Sequence, residues 1–103
     1  MNVLIPSVAI ALVAFAGAAQ AQAPSPTLAR DLAATCANCH GTGGKAAEGS
    51  AVPGLAGRPK EDLVRMMNEF RDGKRNATIM HQLAKGYTPE QVELIAAWFA
   101  ARK

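Results

Sequence analysis

The segment Cys36-Ala37-Asn38-Cys39-His40 constrains this chain more than any other feature. Two thiols stand two residues apart, and an imidazole follows the second directly. A zinc site wants four ligands, and the whole chain holds only two cysteines and two histidines. A thioredoxin-like redox pair wants a strand leading into a helix, and no strand-like stretch precedes Cys36. The pattern matches covalent attachment of c-type haem. Each thiol adds across one vinyl group of the porphyrin, and one helical turn places both sulfurs on the same edge. The adjacent imidazole of His40 then falls beneath the iron as a proximal nitrogen ligand.

The N-terminus reads as a secretory leader. Val8 to Ala16 is an unbroken apolar run, followed by Gly17 and two overlapping A-x-A sites, Ala19-Gln20-Ala21 and Ala21-Gln22-Ala23. Cutting after Ala23 would place Pro24 across the scissile bond, so cleavage after Ala21 is expected, with residues 1–21 as leader and 22–103 as one domain. No Lys or Arg precedes Arg30, which leaves the Met1 amine as the whole basic region and an uncleaved anchor as the rival reading. The apolar run is shorter than the ~20 residues a spanning helix needs, so no membrane span is expected after cleavage. Export, to the periplasm, suits the motif, because haem is joined to such chains outside the cytoplasm.

All charged residues lie from Arg30 onward, so the net charge of +3 belongs to the mature domain. No basic run with interleaved aromatics exists, which argues against a nucleic-acid partner. A domain this small rarely builds a self-sufficient core and usually needs a staple. A large flat apolar cofactor, packed between short helices, would serve.

Helical patterning covers most of what remains. Thr27 is placed to cap a first helix, in which Leu28, Leu32 and Cys36 form one apolar stripe. From Gly41 to Gly57 repeated Gly and Pro predict a loop. Pro59 suits the first turn of a second helix, with Glu61 and Asp62 at its positive end and Leu63, Met66, Met67 and Phe70 on its buried face. Gly73, with Lys74 and Arg75, ends that helix. Met80 to Lys85 can form one or two turns closed by Gly86. Thr88-Pro89-Glu90-Gln91 reads as a capping box opening a last helix that buries Val92, Ile95, Ala96 and Phe99. The expected fold class is all-α, with three main helices and long loops around one covalent haem.

Iron held by one histidine needs a second axial group if it is to move electrons without binding small molecules. Met66, Met67, Met80 and His81 are the candidates downstream. Met66 and Met67 sit mid-helix beside Leu63 and Phe70, where thioethers commonly fill cores. Met80 lies on an irregular stretch after a helix stop, where the backbone can turn its sulfur onto the metal. It is the favoured ligand, with His81 the chemically capable alternative.

Together, Cys36 to Gly41, the loop Val52-Pro53-Gly54-Leu55-Ala56-Gly57, and Met80 ahead of an aromatic C-terminal helix resemble class I cytochrome c. The resemblance implies that the Pro53 carbonyl meets the proximal histidine's other nitrogen, and that the Leu28/Leu32 face crosses Ile95/Phe99. Leu63 to Arg75 and Thr78 to Tyr87 further resemble the cytochrome subunit of flavocytochrome c sulfide dehydrogenases and single cytochrome c4-type domains. The expected function is one-electron transfer between redox protein partners, with no bond in a substrate made or broken. A sulfide-oxidising flavoprotein is the donor this resemblance implies; a freely diffusing shuttle and a haem-free dithiol oxidoreductase are the alternatives. Lys45, Arg58, Lys60, Lys74, Arg75 and Lys85 are candidates to ring the haem edge.

Overall fold

The computed structural model describes Ser25 and residues 27–103; the expected leader, 1–21, lies outside the described residues. Five α-helices follow in order: α1 (Leu28–Ala34), α2 (Ala37–His40), α3 (Lys60–Arg71), α4 (Met80–Leu83) and α5 (Pro89–Ala100). Tight 3-10 turns at Thr42–Gly44 and Ala84–Gly86 follow α2 and α4. Among the described residues there is no strand. The fold is all-α, and α1, α3 and α5 are the three main helices.

Local chemistry sets the start of α5 and the end of α3. Thr88 Oγ1 accepts the Gln91 amide at 3.2 Å while Gln91 Oε1 accepts the Thr88 amide at 2.9 Å, with Pro89 in the first turn of α5. At the other end of α3, Gly73 turns the chain at φ +72°. Its amide reaches the Phe70 carbonyl at 3.2 Å and the Lys74 amide reaches that of Glu69 at 2.8 Å, the paired bonds of a Schellman stop. Two expectations are corrected. Pro59 precedes α3 as its N-cap instead of entering the first turn. Thr27 does not cap α1, because its own backbone is already helical; its hydroxyl donates to Asp31 Oδ2 at 2.9 Å. That bond, with the Arg30 guanidinium beside it, holds the Asp31 carboxyl below its ordinary value.

The core forms where α1 crosses α5 and α3 leans on α5. Ala33, Leu63, Ile95, Ala96 and Phe99 make one buried cluster. The α1 residue deepest in it is Ala33, 1% exposed, instead of the Leu28/Leu32 stripe, whose leucines are half-buried. A small side chain lets the two helices approach closely, and the leucines flank the crossing.

The glycine-rich loop is pinned onto α5. Gly44 sits at φ +80°, and a β-carbon there would lie 2.7 Å from the Phe99 ring and 2.9 Å from the Ala56 amide nitrogen. Its carbonyl accepts the Leu55 and Ala56 amides at 2.8 and 3.1 Å, and the Gly57 amide donates to the Phe99 carbonyl at 3.0 Å. Gly44→Ala should therefore cost about 2–4 kcal/mol, combining a left-handed backbone with overpacking. Gly43, at φ +63° with nothing within 4 Å, carries only the backbone part, so Gly43→Ala should cost about 1 kcal/mol. Thermal melts of the two holo-proteins check this, since each kcal/mol moves the midpoint of so small a domain by about 4–8 °C. Equal midpoints would show that the Phe99 contact yields without cost.

Candidate cofactor site

A cavity of about 790 Å³ opens between the α1–α2 corner, α3, the Met80 segment and α5. Its size falls within the ~300–1,000 Å³ of cofactor and small-molecule sites. Cys36, Cys39, His40, Pro53 and Met80 all stand on its wall, among mainly apolar side chains that include Leu55, Leu63 and Phe99. The loop pinned to α5 carries Pro53 to this wall. A second, open hollow of about 510 Å³ lies over α3 and holds no cysteine, histidine or methionine. Two ion pairs stand on it, Lys60 with Glu93 at 2.6 Å and Arg65 with Glu69 at 3.0 Å.

α2 winds the five-residue motif into a turn, with the Cys39 and His40 amides both donating to the Cys36 carbonyl, at 3.3 and 2.9 Å. Gly41 then reverses the chain at φ +89°, where a β-carbon would collide with the Lys45 carbonyl. His40 is 9% exposed, and its Nδ1 lies 2.6 Å from the Pro53 carbonyl oxygen. A carbonyl can only accept, so Nδ1 carries the proton. In the neutral imidazole the lone pair is therefore on Nε2.

Cys36 and Cys39 are both free thiols, the first half-buried and the second exposed. Burial pushes the Cys36 thiol above its ordinary value, against a smaller opposing effect from the Thr35 hydroxyl. A dithiol oxidoreductase needs the reverse, a nucleophilic thiolate held low by nearby positive charge or a helix N-terminus. Among the described residues no group of three His, Cys, Asp or Glu side chains gathers as a metal-ion site would require.

Met66 and Met67 stand half-buried on the cavity wall beside Met80; Met66 packs against the buried cluster as expected, Met67 does not join it, and Arg58 Nη1 lies 3.9 Å from the Met66 sulfur. His81 is off the wall, and its buried Nδ1 has no hydrogen-bond partner. Of the cations expected to ring the site, only Arg58 and Arg75 line it. Lys60 and Lys74 belong to the second hollow, while Lys45 and Lys85 are exposed away from both. Arg75 is held by Glu69 at 2.7–2.8 Å, which keeps that carboxyl below its ordinary value. Thr35 and Tyr87 also line the cavity, and no sequence pattern marked them.

Residues 27–102 match the family model for cytochrome c. The chain belongs to the cytochrome c family. It is 40% identical to the cytochrome subunit of sulfide dehydrogenase from Chlorobaculum tepidum over 66% of this chain and 60% of that protein. Against the thiosulfate dehydrogenase electron acceptor of Thiomonas intermedia it is 35% identical over 100% of this chain and 48% of the relative. Cytochrome c4 of Pseudomonas aeruginosa is 35% identical over 69% of this chain and 35% of its own length. The chain thus spans roughly a third to three fifths of these relatives.

A cytochrome c carries haem c, covalently attached, and transfers electrons without transforming a substrate. The cavity fits that cofactor by its own chemistry. Two thiols, an imidazole whose tautomer leaves Nε2 basic, and thioether sulfurs share one apolar wall. Among the described residues no helix is long and apolar enough to cross a membrane.

Proposed function

We propose that the chain is a periplasmic one-electron carrier whose haem is attached through Cys36 and Cys39, with His40 and Met80 on the iron, and whose donor is a sulfide-oxidising flavoprotein. The bond from His40 Nδ1 to the Pro53 carbonyl, 2.6 Å long at the cavity wall, carries the site reading. It holds the ring in one tautomer and one orientation, with Nε2 available to iron. The bound haem supplies an Fe(III)/Fe(II) couple. Met80 offers a soft thioether that favours the reduced state, and the apolar wall excludes the water that would stabilise the oxidised one. Arg58, which joins none of the ion pairs among the described residues, can meet a haem carboxylate from the wall.

The sulfide reading is supported by the identity to a sulfide dehydrogenase subunit and by the resemblance of Leu63 to Arg75 and Thr78 to Tyr87 to such subunits. A thiosulfate dehydrogenase as donor is the second reading, supported by the match over the full length of the chain. In a native extract, the haem should co-elute with a flavoprotein at moderate salt, because a lasting interface rests on central apolar burial. Sulfide should then reduce it within that fraction. Reversing Arg75, which lines the cavity, should slow association more than it speeds release, as expected for a charge at a rim. Haem eluting alone, reduced with thiosulfate and its dehydrogenase but not with sulfide, would replace the first reading by the second.

A further inference from the structure

We infer that Tyr87 is a positioning residue, whose hydroxyl clasps the Met80 segment shut against the helix corner that bears Cys36. Tyr87 OH lies 2.7 Å from Thr35 Oγ1. Thr35 Oγ1 also lies 2.9 Å from the Leu32 carbonyl, which can only accept, so the single Thr35 proton goes there and Tyr87 donates to Thr35. Thr35 is the residue directly before Cys36, and Tyr87 directly follows the turn that ends the Met80 segment. Both side chains stand on the cavity wall. The backbone at Tyr87 is itself held from α3, where Arg71 Nη2 donates to the Tyr87 carbonyl at 2.7 Å.

The other end of the segment is different. Among the described residues no hydrogen bond ties 76–78 to the rest of the chain. The segment is fastened downstream and loose upstream. With 76–78 unbonded, the segment can draw back from the Cys36 corner toward α3, which holds it through Arg71, and the Tyr87–Thr35 bond is what such a movement breaks. The bond therefore favours the closed arrangement and is absent from the open one. A ligand that needs the open arrangement binds more weakly in proportion to the closed population.

This inference rests on the reading of Met80 as an iron ligand. The test uses the ferric holo-protein, imidazole as the external ligand, and hydrogen–deuterium exchange at residues 79–87. Tyr87→Phe should tighten apparent imidazole binding roughly three- to tenfold, the range for one net hydrogen bond, and speed exchange at the Gln82 and Leu83 amides by a similar factor. In a Thr35→Val background the same change should have no further effect, whereas in Thr35→Ser it should keep its full effect. Tyr87→Phe effects that persist undiminished in Thr35→Val, or affinity and exchange that do not move, overturn the clasp. Absence of the iron–sulfur charge-transfer absorption from the parent holo-protein would instead overturn the Met80 reading, and exchange would still decide the clasp.

Discussion

Met80→Ala should leave haem covalently attached, lower the reduction potential by on the order of 0.2 V, and open the iron to cyanide or carbon monoxide. The shift is a modest part of the ~0.8 V that axial ligands command. Losing a soft sulfur removes preferential stabilisation of the reduced state, and the vacated position admits water. The controls are demanding, because Met66 and Met67 share the same wall. Both belong to α3, whose Leu63 is fixed in the buried cluster, and Met66 already meets Arg58. Met80 begins a four-residue helix behind a stretch with few bonds, where a sulfur can be steered. Met66→Ala and Met67→Ala should keep the low-spin spectrum and lose only packing, about 1–3 kcal/mol at half-buried sites. A low-spin spectrum lost in either of these and retained in Met80→Ala would reassign the ligand.

Cys36→Ser/Cys39→Ser should cost the fold as well as the haem. The buried apolar side chains are Ala33, Leu63, Ala84, Val92, Ile95, Ala96 and Phe99, and three of these are alanines. Around them Leu55, Met66, Met67, Phe70 and Leu83 face the cavity, half-buried or exposed until something fills it. So small a core falls short of the conformational entropy that ordering the chain removes. Circular dichroism of the exported double mutant should show roughly a third or less of the holo helical signal and no cooperative melt. A cooperative transition without haem would show that α1, α3 and α5 hold one another unaided.

Features legible in the sequence are those decided between near neighbours. The Thr88/Gln91 box, the Gly73 stop and the turn from Cys36 to His40 each involve residues three to five apart. Val92, Ile95, Ala96 and Phe99 share a helical face and are the buried residues of α5, as their spacing predicts. Thr27 misled because a hydroxyl serves equally as a cap or as a donor to a carboxylate one turn on, and Asp31 stands there. From the stripe of Leu28, Leu32 and Cys36, Leu32 and Cys36 pack against the cluster as expected, but hydrophobic size does not say that Ala33 occupies the crossing, where the smallest fits best.

The sequence by itself therefore determined the helices and the local turn that groups two thiols with an imidazole, since backbone hydrogen bonds and side-chain spacing act within a turn. Only the tertiary structure decided what surrounds that turn. Pro53 meets His40 across 13 residues, which family resemblance but no local pattern implied, and Tyr87 meets Thr35 across 52. Which cations reach the cavity, and which sulfurs line it, depend in the same way on how α3 and the Met80 segment pack around it. Such contacts depend on how separate helices and loops pack, and no local periodicity encodes that packing.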